Sequence, residues 1–114
     1  MTKKTVRDID VAGKRVLLRA ELNVPFVPDT TIISDDSRIK ATLPTIRYLQ
    51  ERGAGVVLCA HLGRPNGQVV EEMRLKPIAD RLAMLLNMPI SYAYDCMGDE
   101  PRKRVSELGP GGVL

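Results

Sequence analysis

Tryptophan is absent, and one Phe and three Tyr are the only aromatic residues in 114. Bases of single-stranded nucleic acid stack on aromatic rings, so this scarcity argues against a nucleic-acid partner. Histidine occurs once, and the two cysteines, Cys59 and Cys96, form no C-x-x-C pair. The ligand spacing of a zinc site is therefore missing, and both cysteines are expected as small core residues of a protein kept in a reducing compartment. Residues 53–60 are the longest run that reads as buried and uncharged, far below the roughly 20 residues that a bilayer span requires. Residues 1–8 lack the apolar stretch of a signal peptide, so the expected location is cytoplasmic, with no membrane association. No glycine-rich phosphate loop is found: Gly111-Gly112 precedes no Gly-Lys-Ser/Thr, and no G-x-G-x-x-G follows a strand. A nucleotide site is not expected in this stretch.

What the chain does have is a hydrophobic fraction of 44% beside 27% charged residues, enough to bury a core of Leu, Val, Ile, Ala and Met. Its length fits one small domain or a piece of a larger one. Seventeen Lys and Arg against fourteen Asp and Glu leave a formal charge of +3. The charges are interspersed, which suits a small acidic substrate held by two or three placed cations.

Residues 14–20 read as a short buried strand between Gly13 and Asn23-Val24-Pro25. Residues 26–36, with Pro28, Asp29, Ser34 and two further Asp, read as a surface loop or hairpin. Ile39, Leu43, Ile46 and Leu49 recur on one face of a helix that Gly53 closes. Pro44 must lie in its first turn or kink it. The unbroken apolar run 56–60 has the character of a parallel strand covered on both faces. A second helix over 78–87 follows Pro77, with Ile78, Leu82, Leu85 and Leu86 inward. A third strand over 90–94, a third helix over 99–108 with Pro101 in its first turn, and the opening of a fourth strand at Val113-Leu114 complete the order. Strand, helix, strand, helix, strand, helix predicts an α/β fold: a Rossmann-like three-layer domain on a parallel sheet with right-handed crossovers, incomplete at its last strand.

Ligands of such sheets bind beyond the carboxyl ends of the strands. The residues there are 21–25 after the first strand, 61–65 after the second and Asp95 after the third, with Arg38 at the start of the first helix. Arg38 and Arg64 offer forked donors for phosphate or carboxylate, and His61 adds another. Asn23 and Glu21 suit a hydroxyl, and Gly63 lets backbone approach a ligand closely. A phosphorylated carboxylic acid fits this set. Four of these residues also have a plainer reading: Arg38 paired to Asp35 or Asp36, His61 a satisfied structural residue, Glu21 a solvated loop residue, Asp95 a turn cap.

The runs Lys14-Arg15-Val16-Leu17-Leu18-Arg19-Ala20-Glu21-Leu22-Asn23-Val24-Pro25, Asp36-Ser37-Arg38-Ile39-Lys40, Leu43-Pro44-Thr45-Ile46, His61-Leu62-Gly63-Arg64-Pro65, Leu75-Lys76-Pro77-Ile78-Ala79 and Asp95-Cys96-Met97-Gly98 together resemble the N-terminal domain of the phosphoglycerate kinases. The resemblance covers nearly the whole chain in order. It implies phosphoryl transfer between 1,3-bisphosphoglycerate and ADP, giving 3-phosphoglycerate and ATP in glycolysis or carbon fixation. It also implies two α/β domains facing across a hinge in a monomeric enzyme, with Mg-ATP or Mg-ADP on the C-terminal one and no cofactor on this piece. By resemblance Arg38 is catalytic, Glu21, Leu22 and Asn23 lie along the glycerate, and His61, Leu62, Gly63 and Arg64 take the 3-phosphate end. The family reads Val-Asp-Phe-Asn where this chain has Ala20-Glu21-Leu22-Asn23, so the carboxylate arm is one methylene longer. Residues 1–114 are thus expected to be a partial N-terminal phosphoglycerate-binding domain without the nucleotide domain, inactive alone. A non-catalytic remnant that binds an anion or a partner protein is the alternative. A receiver-like signalling domain shares the alternation, but it would need acidic residues and a Lys at the strand ends in a pattern that this chain does not show.

Overall fold

A computed structural model describes residues 3–114; Met1 and Thr2, and the reading of the N-terminus there, lie outside the described residues. Two parallel strands, β1 (Arg15–Arg19) and β2 (Gly55–Cys59), pair in register from Arg15 with Gly55 to Arg19 with Cys59. Between them runs α1 (Ser37–Glu51), the helical crossover that parallel pairing demands. The helices α2 (Lys76–Leu86) and α3 (Asp99–Ser106) follow, with single 3₁₀ turns at Val6–Asp8 and Glu71–Met73.

The apolar period of α1 determines how it packs. Ile39, Leu43, Ile46 and Leu49 are all buried and join Val56 of β2, with Val16 and Leu18 of β1 packed against the same core. Pro44 sits in the interior of α1 and is exposed, so the carbonyl four residues earlier, on Lys40, is freed toward solvent. Before the helix, the Asp35 carboxylate accepts the Ser37 N–H at 2.9 Å, a bond that lowers its pKa below the usual carboxylate value. The helix α2 starts with Pro77 in its first turn and buries Ile78 and Leu82, while Leu85 and Leu86 lie half-buried beside them. Asn87 ends it in the left-handed conformation, φ 53°.

Val113 forms a parallel bridge with Val56, on the side of β2 away from β1. Three bonds hold it: Val56 N–H to Gly112 O at 2.9 Å, Leu58 N–H to Leu114 O at 2.7 Å, and Leu114 N–H to Val56 O at 2.8 Å. The opening of a fourth strand is therefore present. The third strand expected over 90–94 is not: the segment is irregular, tied to the sheet by Ser91 N–H to the Val113 carbonyl at 3.0 Å. A strand exists by its ladder, and Val113-Leu114 offers only a short edge to pair with. Residues 26–33 form a tight excursion closed by an antiparallel bridge between Phe26 and Ile33, as a hairpin would be.

The cysteines depart from their expected place. Cys59 is half-buried and Cys96 exposed, because Cys59 lies on the less covered face of β2 and Cys96 in the irregular segment before α3.

Candidate functional site

The residues beyond β1 turn sharply. Leu22 and Val24 are 2% and 4% exposed, and the Val24 N–H donates to the Leu22 carbonyl at 2.9 Å. This three-residue turn puts Asn23 at its apex, anchored on both sides by the core. Glu21 folds over the turn, its Oε1 accepting the Asn23 N–H at 3.0 Å.

Two other segments converge on that apex. The Arg38 guanidinium, carried on the first turn of α1, donates through Nη1 to the Asn23 carbonyl and stands 3.9 Å from Glu21 Oε1. From the loop after β2, the Gly63 N–H donates to Asn23 Oδ1 at 3.2 Å. Asn23 thus joins the β1 exit, the α1 start and the 61–65 loop through backbone carbonyl and side-chain amide together.

Gly63 lies at φ +64°, and a Cβ placed there would stand 2.9 Å from Met73 Sδ. Only glycine takes this conformation freely while packing so close to Met73. Around it Leu62 is buried, whereas His61 and Arg64 are exposed. His61 lines a polar hollow of about 310 Å³ together with Arg19, Ala20 and Glu21.

Arg38, Glu21, Asn23, Gly63 and His61 are thus brought together at the carboxyl ends of the two strands. Arg64 shares the loop but makes no ion pair or hydrogen bond among the described residues. The side chains of Leu22 and Leu62 belong to the core, so what they offer a ligand is backbone. The plainer reading of Arg38 is not met at Asp36, whose carboxylate is taken by Arg81 at 2.9 Å and Lys40 at 3.3 Å. Asp95 departs from expectation: its Oδ1 accepts the Cys96 N–H at 2.7 Å, and it lines a separate, mostly apolar groove with Cys59, Leu58 and Tyr92. The cause is the irregular path of 90–94, which does not end at the sheet edge as a strand would.

Sequence reasoning missed Arg19. It is the last residue of β1 and exposed, and it faces the same hollow as His61. The alternation Arg15, Leu17, Arg19 on one face of the strand carries the signal, whereas position after a strand does not. With Arg19, Arg38 and Arg64 against Glu21 alone, the region is cationic and suited to a small polyanion. Among the described residues no group of three or more His, Cys, Asp or Glu could hold a metal ion.

Comparison with known proteins agrees with this geometry. The family model described as phosphoglycerate kinase matches residues 6–114. A phosphoglycerate kinase of Rippkaea orientalis is 52% identical over 99% of this chain, and one of Picosynechococcus sp. is 47% identical over 99%. The chain spans 28% and 29% of the lengths of these two relatives. Among solved structures, phosphoglycerate kinase from Pyrococcus horikoshii superposes with a TM-score of 0.83 at 38% identity, over 95% of this chain and 26% of that one. The enzyme from Coxiella burnetii gives 0.79 at 32% identity, over 96% and 26%. A Rossmann-like α/β frame, a cationic cluster at its strand ends and a family match over nearly every residue converge: the chain belongs to the phosphoglycerate kinase family.

Proposed function

We propose that this chain is the phosphoglycerate-binding part of the N-terminal domain of a cytoplasmic, monomeric phosphoglycerate kinase. The whole protein transfers a phosphoryl group between 1,3-bisphosphoglycerate and ADP, in glycolysis or carbon fixation. The observation that carries this reading is the convergence of Arg38, Asn23, Gly63 and His61 at the ends of two adjacent parallel strands, in a chain of this family. Arg38 is the catalytic residue, placed to neutralise charge on the transferring group. Phosphoryl transfer is mostly positioning and electrostatics, and a cation aimed at that group is worth about 10³ to 10⁵ in rate in related enzymes.

His61 and Arg64 hold the 3-phosphate, with the Leu62 and Gly63 backbone beneath it, and Asn23, flanked by Glu21 and Leu22, faces the glycerate. Magnesium with ADP or ATP supplies further charge neutralisation when bound. The residues described offer that metal no ligand cluster, and the nucleotide belongs to the domain that faces this one.

Titration of the chain with 3-phosphoglycerate, followed by NMR, tests the assignment. Saturable shifts are expected at His61, Arg64 and Arg38, and His61→Ala or Arg64→Ala should each weaken binding about tenfold or more, as loss of a charged hydrogen bond does. Unchanged affinity in both variants would sink the site. A dispersed spectrum that ignores the ligand would favour the non-catalytic remnant.

A further inference from the structure

We infer that Asn66-Gly67 is a site of spontaneous deamidation, and that the carboxylate it creates weakens the hold of the neighbouring 61–65 loop on phosphate; the second part rests on the kinase reading above. Asparagine occurs at positions 23, 66 and 87. Deamidation begins when the backbone nitrogen of the next residue attacks the asparagine side chain, so the residue that follows each asparagine decides its fate. Val24 carries a branched side chain, and its N–H is bonded to the Leu22 carbonyl at 2.9 Å. The Met88 N–H is bonded to the Ala83 carbonyl at 3.2 Å. The Gly67 N–H donates to nothing among the described residues, and glycine puts no Cβ in the path of attack.

Little holds the surrounding turn. Asn66 and Gly67 are both exposed, at φ 57° and 78°. Beyond its chain neighbours, nothing lies within 4 Å of where a Gly67 Cβ would stand. One bond closes the turn, Gln68 N–H to the Pro65 carbonyl at 3.2 Å, at the long end of the range for such bonds. Backbone held so lightly opens locally, without unfolding the core. Opening lets ψ of Asn66 rotate until the Gly67 nitrogen meets Cγ.

In the reaction, hydroxide removes the Gly67 amide proton and the nitrogen bonds to Asn66 Cγ. The Cγ–Nδ2 bond then breaks and ammonia leaves, its third hydrogen supplied by water. A second water opens the succinimide at Cγ to give aspartate, or at the backbone carbonyl to give isoaspartate. The sum is amide plus water to carboxylate plus ammonium. Position 66 gains a negative charge two residues from Arg64, about 7 Å of extended chain at most, within the Debye length of about 8 Å at physiological salt. An anion there opposes a phosphate held by Arg64 and His61.

The full-length protein carrying this segment, aged in a pH series from neutral to mildly alkaline and mapped by peptide mass spectrometry, tests the site. The peptide bearing residue 66 should gain about one dalton, at a rate that rises with hydroxide. That rate should exceed those at Asn23 and Asn87 by about tenfold or more, as the missing Cβ and the free N–H imply, and Asn66→Ser should gain nothing there. An unchanged peptide at 66, or earlier conversion at Asn23 or Asn87, overturns the inference. The variant Asn66→Asp reproduces the product. Its KM for 3-phosphoglycerate should rise about two- to fivefold at low salt and return toward the parent value as salt is added, with kcat unchanged. An unchanged KM at low salt refutes the effect on phosphate. Should the unsubstituted protein lack kinase activity, the functional reading fails, and the mass gain at residue 66 decides deamidation by itself.

Discussion

Gly63 combines two constraints at a single position, a left-handed backbone and a close neighbour in Met73. Gly63→Ala should destabilise the chain by about 1–2 kcal/mol from the backbone alone, read as a lower urea midpoint at unchanged slope. The bond from the Gly63 N–H to Asn23 Oδ1 should weaken with it, displacing the His61 resonances. A variant as stable as the parent would show that the 61–65 loop takes an ordinary conformation. Arg38 illustrates how residue-level reading narrows with structure. Sequence proximity favours Asp35 or Asp36 as its partners, yet Arg81, arriving from α2, and Lys40 take the Asp36 carboxylate, and Arg38 turns instead to the apex residue of the β1 exit.

Among the elements, α3 depends most on charge. It buries no residue, and its first turn is held by Glu100, which accepts the Arg104 guanidinium N–H at 3.0 Å and the Tyr94 N–H at 2.8 Å. The Arg104 bond, helped by the Tyr94 and Asp95 backbone, keeps the Glu100 carboxyl below its usual pKa. A carboxyl whose pKa is depressed by folding contributes stability above its unfolded pKa and loses it as the pH falls through the folded value. Acidification below the ordinary carboxylate range should therefore loosen the α3 start before the core. The Tyr94 amide resonance is expected to move with that step, and Glu100→Gln should abolish it. An acid transition at Tyr94 that persists in Glu100→Gln would assign it to another group.

The elements that carry strong periodicity were legible in advance. The face of α1, the first turn of α2 and the existence of β2 follow from residue spacing and proline placement, but not the full cover expected for β2, where Val57, Leu58 and Cys59 are only half-buried. The segment 90–94 was not, because its composition suits a strand while its pairing depends on how much edge its neighbour provides. Asn23 and Gly63 were legible as site residues from their position after strands. Their mutual bond was not, since forty residues separate them. Arg19 was hidden by being inside a strand, where alternation rather than adjacency decides which way it faces.

At the scale of the molecule, β2 is the axis. It pairs with β1 on one side and with residues 112–114 on the other, and Gly55 approaches Leu108 so closely that a Cβ there would lie 3.1 Å from its side chain. Amides at the centre of a sheet open only with global unfolding, whereas those held by a single outer bond open locally. Hydrogen exchange should thus be slowest at the amides bonded within the β1–β2 ladder and faster at Val56, Leu58 and Ser91, whose N–H groups all bond to carbonyls of residues 112–114. Val113 is 2% exposed, and Val113→Ala should speed exchange at Val56, Leu58 and Ser91 together while sparing the α1 amides in relative terms. Acceleration confined to Ser91 would place the axis elsewhere.

The bond from Ser91 to the Val113 carbonyl also sets an order in time. Synthesis proceeds from the N-terminus, so 90–94 leaves the ribosome with no edge to join, and all of α3 must follow before Val113 arrives. In that interval Tyr92 and Tyr94, stacked edge to face at 5.1 Å, belong to a loose strap beside an already paired β1 and β2. Nascent chains from which Ser91 has emerged but Val113 has not would carry that strap uncommitted.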